Sequence, residues 1–325
     1  MNKIKVGTLG LVNLDYPTSG FDSFISYIIK AMKSTYDVEF IGLRPFLDEK
    51  KVDILLIPCL TVFYYSRKDF PMDDLMSYIK EVSRIQWYAC WYGSPLVCFP
   101  TNFRPIKAKR ALCSFPEVGK ETELAGLAEN ITMWTPPVKP LMLEKEPYIL
   151  NKAFETPHKL NLALLALAPT LYENFGISIN AYSFDWYLDR SPHLKTEIDF
   201  VDAHLHEGLK LFRGGINFYE FQKLLAKARI LCSLRGGWEL QSLEAWVHGT
   251  PVITRDHAGF LAPDYGISSR CEEEADITGI SECIKGILEG AYNSQIERTI
   301  AHVRDISNHE IQIKIIKTCL DEDLG

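Results

Sequence analysis

The stretch from Arg235 to Ile253 constrains the fold of this chain more than any other segment. It comes after the apolar run Ile230 to Leu234 and reads as a strand end, a glycine turn at Gly236-Gly237, and a short helix carrying Glu244. A stop at Gly249-Thr250-Pro251 and a new apolar strand at Val252-Ile253 complete it. That order of parts belongs to an α/β domain, in which a helix opens at the carboxyl end of a strand. The first-turn N–H groups and the helix dipole then form an anion site. A phosphate-bearing ligand is therefore expected over Arg235, Gly236, Gly237 and the first helical turn. Taken alone, Gly249-Thr250-Pro251 is only a helix stop. Likewise Glu244 alone would be a solvated face residue, and it is the strand and glycine turn before it that make it a ligand candidate.

The rest of the chain alternates in the same way. Ile4 to Leu11 is an apolar run that ends in the loop Asn13 to Gly20, and Phe21, Phe24, Ile25, Ile28, Ile29 and Met32 come next at helical spacing. Val38 to Leu43 and Asp53 to Leu60 read as strands whose unbroken apolar character suits a parallel sheet covered on both faces. At 325 residues the chain exceeds one average domain. Pro136, Pro137 and Pro140 interrupt the pattern and hold the backbone extended, which places an interdomain linker there. The expected organisation is an amino-terminal domain over 1–137, a second over 138–300, and a terminal helix over 301–325 that packs back on the first. The second half is expected to restart with a strand at Leu160 to Leu167, a helix from Thr170 to Ser183, and strands at Ile198 to Val201 and Leu209 to Phe212. Asn217 with Glu220 three residues on reads as a capping box for a helix striped by Phe221, Leu224, Leu225 and Ala228.

A net charge of −7 argues against a surface that grips nucleic acid all over. It leaves room for the local basic cluster Arg104, Lys107, Lys109 and Arg110, read either as a solvated loop or as a site for a phosphate-bearing partner. The eight cysteines are scattered without a CxxC pair and read as buried thiols of a reducing compartment. Met1 to Val6 runs straight into a strand without a signal-peptide core, and no run approaches the ~18 apolar residues of a membrane span. A cytoplasmic protein, able to touch a membrane surface, is expected. No Asp-x-Asp comes after a strand, so no metal is expected, and His248 reads as a helix-end residue favoured by the dipole.

From Gly214 to Ile253 the order of parts resembles the carboxy-terminal domain of GT-B glycosyltransferases, in particular the retaining glycosyltransferase family 4 (glycosyl transferases group 1). The resemblance rests on Gly214, the helix Phe218 to Arg229, the strand Ile230 to Leu234, then Gly237, Trp238, Leu240, Leu243, Glu244, Ala245, Gly249, Thr250, Pro251, Val252 and Ile253. More weakly, Pro17 to Phe21 is similar to the family's amino-terminal glycine loop, and Pro136-Pro137-Val138 to its linker. The resemblance implies two Rossmann-like domains facing a cleft, with carboxy-terminal helices crossing back. It implies a hexosyltransferase that takes a nucleotide-diphosphate sugar as co-substrate, with no other cofactor, and passes the sugar to a glycan, a lipid-linked sugar or a nucleic-acid base. Retention of configuration and metal independence come with it.

Carried over by position, Glu244 would hold the ribose hydroxyls, the amides of Leu240, Gln241 and Ser242 would face the diphosphate, and the backbone of Ile216 would meet the base. The family's first glutamate falls on Gly236, and Glu239 stands where a glycine is expected. The family's Arg and Lys after the first strand of this domain have no counterpart in Pro169 to Asn174, which leaves Arg213 and Arg235 to meet the phosphate charge. The first histidine of the chain is His158, so the amino-terminal half offers no histidine base. Asp15 or Asp22, or the leaving phosphate itself, would take the acceptor proton, and Gly20 with the basic cluster would face the acceptor. A nucleotide-sugar epimerase on the same fold, or a non-catalytic nucleotide-sugar-binding subunit, are the alternatives.

Overall fold

The computed structural model describes residues 3–9, 20–43, 50–58, 72–90, 106–151, 162–183, 208–213, 217–233, 240–254, 267–268 and 277–325. They divide into two compact units: residues 1–138 together with 307–325, and residues 139–306.

The first unit is a six-stranded, all-parallel sheet in the order β2-β1-β3-β4-β5-β6. Its strands are β1 (Ile4–Leu9), β2 (Val38–Leu43), β3 (Val52–Pro58), β4 (Ser83–Cys90), β5 (Ala108–Cys113) and β6 (Ala128–Met133). Ile54, Leu55, Leu56 and Ile57 are all buried, as a central parallel strand between two helical layers requires. Helix α1 (Gly20–Lys33) lays Phe24, Ile25, Ile28, Ile29 and Met32 into the core, the stripe expected from their spacing. Helices α2 (Met72–Val82) and α3 (Pro116–Leu124) form the crossovers before β4 and β6.

The second unit is also a six-stranded parallel sheet, in the order β12-β11-β10-β7-β8-β9. It contains β7 (Tyr148–Asn151), β8 (Ser178–Ser183), β9 (Leu209–Arg213), β10 (Ile230–Ser233), β11 (Val252–Thr254) and β12 (Ile267–Ser268). The helices are α4 (Leu162–Ala166), α5 (Ala168–Phe175), α6 (Phe218–Lys227), α7 (Leu240–Val247), α8 (Ile277–Leu288) and α9 (Asn293–Ile306). Each sheet is thus the doubly wound Rossmann type, with the strand order reversing between β1 and β3 in one and between β7 and β10 in the other.

The structure departs from the sequence expectation at two places. Leu160 to Leu167 does not start the sheet: of its described residues, Leu162–Ala166 is helical and Leu167 is a turn, and the first strand is Tyr148–Asn151. The run holds only Leu, Ala and Asn with no β-branched residue, so helix propensity decides what apolar periodicity leaves open. The expected helix Thr170 to Ser183 stops at Phe175, where Gly176 takes the left-handed conformation (φ 63°) and donates its N–H to Tyr172 O. Ser178–Ser183 then forms β8. The expected strand at Ile198 to Val201 lies outside the described residues.

The cap at Asn217 forms as its spacing indicates, its side chain accepting the Glu220 N–H at 2.8 Å, while the Glu220 carboxylate takes Lys223 at 2.9 Å. The helical tail is two helices, α9 and α10 (His309–Leu324), the latter capped by Asn308. Helix α10 belongs to the first unit. There the Trp134 indole N–H donates to Gln312 O at 3.1 Å, Tyr36 hydrogen-bonds Asp321, and Arg110 meets Asp323 and Glu322. Cys113, Cys232 and Cys319 are buried free thiols, and Cys90 and Cys283 are buried as well. No helix among the described residues is long and apolar enough to cross a membrane.

Candidate functional site

Strand β10 ends at Ser233 beside β7, which ends at Asn151, so both carboxyl ends lie at the point where the strand order of the second sheet reverses. Open α/β sheets bind ligands at such a point. The segment between β10 and α7, including Arg235, Gly236, Gly237 and Glu239, lies outside the described residues, as do Gly214 and Ile216. Helix α7 itself is described in full, and it is buried almost all round: of its eight residues only Gln241 is not buried. Glu244 is 2% exposed on this helix. A carboxylate is kept out of water only at a cost unless something polar or cationic meets it, so Glu244 is no solvated face residue. The Ser242 hydroxyl is fully buried and has no hydrogen-bond partner among the described residues.

The carboxyl end of α7 is held by three residues beyond its last turn. Gly249 is left-handed (φ 76°) and donates its N–H to Trp246 O, while Arg304 donates to Val247 O at 2.9 Å and so closes the helix. Thr250, fully buried, donates its hydroxyl to Leu225 O at 2.6 Å at the end of α6 and receives the Lys145 ammonium. The Gly-Thr-Pro element is therefore a clamp joining α6, α7 and the chain leading into β7. Burial, with Arg229 and Arg304 near, pushes the Lys145 ammonium down to about 8.

His248 does not serve the helix dipole, contrary to the sequence expectation. It is 3% exposed, its Nδ1 accepts the Leu141 N–H at 3.1 Å and its Nε2 lies 2.6 Å from the Gln222 amide oxygen, which assigns the proton to Nε2. Burial first, then Lys145 and Arg304, push it down to about 4. The residue is a neutral connector and carries no charge for the dipole to stabilise.

The basic cluster is not brought together as a patch. Arg110 is buried on β5 and spends Nε on Asp323 at 2.8 Å, Nη1 on Thr132 at 2.7 Å and Nη2 on Glu322 at 2.7 Å. Burial works against its charge, but these partners more than offset it and its pKa is raised. It is thus withdrawn from any surface patch, because strand alternation turns it inward where Lys109 faces out. Lys109 pairs with Glu129 at 2.8 Å, Lys107 is exposed, and Arg104 lies outside the described residues, as does Asp15. Gly20 and Asp22 sit in the first turn of α1, at the carboxyl side of β1, with their side-chain surroundings outside the description.

Because β7 is the first strand of the second unit, Pro169 to Asn174 lies within α5, and its lack of basic residues has no bearing on the loop after the first strand. The residues that follow β7, 152–161, lie outside the described residues and include Lys152, His158 and Lys159. Arg213 ends β9, the edge strand, separated from β10 by β8 and β7, or roughly 14 Å at the usual interstrand spacing. Sequence reasoning passed over Asn151. It ends β7 at the reversal point, is 2% exposed, and its amide nitrogen has no partner among the described residues. A polar residue closing an apolar strand was the signal available.

No known family profile and no curated protein matches the sequence. The fold, by contrast, is shared along the whole chain. A glycosyltransferase from Rickettsia africae superposes with a TM-score of 0.63 at 13% identity, covering 100% of both chains. Anabaena Alr3699/HepE, solved in complex with UDP-glucose, gives a TM-score of 0.61 at 12% identity over 99% of both. An alpha-glucosyltransferase solved with UDP and a 13-mer DNA containing a central A:G mismatch gives 0.57 at 11% identity over 100% of both. The chain thus has the fold of the GT-B glycosyltransferases, two Rossmann-like domains in one polypeptide.

Proposed function

We propose that the protein is a retaining, metal-independent hexosyltransferase of the family 4 type, with a nucleotide-diphosphate sugar as donor. The observation that carries this reading is the buried Glu244 on a helix that opens at the carboxyl end of β10, at the reversal point of the second sheet. In this reading the Glu244 carboxylate accepts hydrogen bonds from the two ribose hydroxyls. The diphosphate lies over Gly236-Gly237 against the amides of Leu240, Gln241 and Ser242, and Arg235 with the loop after β7 balances its charge. The Ile216 backbone meets the base.

Gly20 stands on the acceptor side, with Asp15, Asp22 or the departing phosphate taking the acceptor proton; Lys107 and Lys109, at the amino end of β5, lie at the opposite end of that sheet. The neighbours solved with UDP or UDP-glucose make UDP-glucose the first donor to test. The acceptor is a glycan, a lipid-linked sugar or a nucleic-acid base.

Calorimetry with UDP and UDP-sugars tests the donor site. Glu244→Ala is expected to weaken binding by about 1.5–3 kcal/mol, the range for a hydrogen bond to a charged group. Unchanged affinity would remove the ribose assignment. Transfer that persists in excess EDTA is the expected outcome for metal independence, and a chelator-sensitive rate would contradict it. A second reading, a nucleotide-sugar-binding subunit without turnover, is favoured by Gly236 standing where the family's sugar-gripping glutamate would be. Tight donor binding with neither transfer nor hydrolysis would select it. Consumption of donor without any acceptor would select an epimerase.

A further inference from the structure

The sheet of the first unit carries a concavity at the end opposite the one where α/β sheets bind their reactants. The amino ends of β1, β3 and β4 and the last turn of α2 surround a cavity of about 650 Å³. Val52 and Val82, both buried, are its apolar part, and Lys3, Lys5, Lys51 and Arg84 are its exposed cations. Lys3 has Asp37 at 3.9 Å; Lys5, Lys51 and Arg84 have no ion-pair partner among the described residues. Asp53 and Glu81 also line the cavity, and Asp53 is already engaged by the Lys5 backbone N–H at 2.7 Å. The Ser83 hydroxyl is spent on Ile85 O at 2.7 Å. With Lys3 offset by Asp37, three cations against two carboxylates leave a net positive charge facing one hollow, in a protein whose net charge is −7.

Like charges around a concavity repel, and the field they focus there favours an anion. The chemistry of the rim narrows the choice. A guanidinium offers a planar fork and the lysines offer mobile point charges, a set suited to tetrahedral oxyanions. The volume falls in the roughly 300–1,000 Å³ range of small-molecule sites, more than a single phosphate fills. We propose that this cavity is a second binding site, for a small group bearing two or more phosphates, held by Lys5, Lys51 and Arg84. It lies away from the carboxyl ends of the strands and is separate from the donor site in the other unit.

Such a group comes either free in solution or displayed on a lipid headgroup, and two arms of one experiment separate the sources. The full chain is titrated with tripolyphosphate in a calorimeter at low and at physiological salt. In parallel it is sedimented with phosphatidylcholine vesicles containing a bisphosphorylated phosphoinositide. Saturable, salt-weakened binding is expected in at least one arm. The double substitution Lys5→Gln/Arg84→Gln, both surface changes, is expected to lower it about tenfold or more, whereas Lys285→Gln, a cation of the second unit, leaves it unchanged. Binding in the first arm assigns a soluble ligand and binding in the second alone a lipid headgroup. No binding in either arm, or binding indifferent to the double substitution, overturns the proposal. Glu244→Ala is expected to leave tripolyphosphate binding intact, so the outcome stands or falls independently of the glycosyltransferase reading.

Discussion

His248 and Arg110 show how far burial changes the work a charged residue type can do. With His248 held near 4, below the roughly 6.5 of an unfolded histidine, the folded state binds its proton less readily than the unfolded chain. Its contribution to stability is complete above about pH 6.5 and is lost as the pH falls toward 4. The unfolding midpoint is expected to drop across that window in the native protein and to drop less in His248→Asn; equal slopes would refute the assignment. Arg110 makes the opposite case, a cation kept because its partners are kept. The Asp323 side chain is 1% exposed, so Arg110→Met leaves a buried carboxylate unpaired. A loss of about 3–5 kcal/mol is expected in denaturant titration, with partial recovery on adding Asp323→Asn.

At the level of elements, most strand starts and caps are legible, and the first two strands of the second sheet are not. Asn217, Gly249 and Pro251 carry backbone requirements that no neighbouring residue can disguise, so the boundaries of α6, α7 and β11 can be read from them. Gly176 carried the same information, and reading through it merged α5 with β8. The short strand Tyr148–Asn151 hid behind the longer and more apolar Leu160 to Leu167, since a parallel core strand needs only four residues and hydropathy rewards length. That one slip carried into the site, because it sought the phosphate cations after the wrong element. Glu244 survived it, being placed by the turn before it and the stop after it. At Gly249 an added Cβ would meet nothing closer than 3.7 Å, so the cost of Gly249→Ala is conformational alone. It is expected to be about 1–2 kcal/mol, with Gly249→Asn costing less. A Gly249→Ala protein as stable as the parent would show that the left-handed cap is unnecessary.

For the molecule as a whole, the decisive feature is that the first unit is built from both ends of the chain, residues 1–138 and 307–325. Helix α10 covers Trp134, whose ring lies tilted against Phe24 at 5.5 Å, and supplies the carboxylates that neutralise Arg110. Removing residues 307–325 is expected to expose that core and abolish amide protection in β5 and β6, while protection in β10 and β11 persists; hydrogen exchange read by mass spectrometry distinguishes the two units. If both units lost protection together, they would fold as one. The same arrangement sets an order of events during synthesis. The sheet of the first unit leaves the ribosome before the second unit yet lacks α10 until that unit has been made, so the nascent chain carries the first unit without its covering helix through the production of the second. Late folding of the earliest part, with the period of exposure to chaperones and proteases that it brings, is thus written into where the chain crosses back.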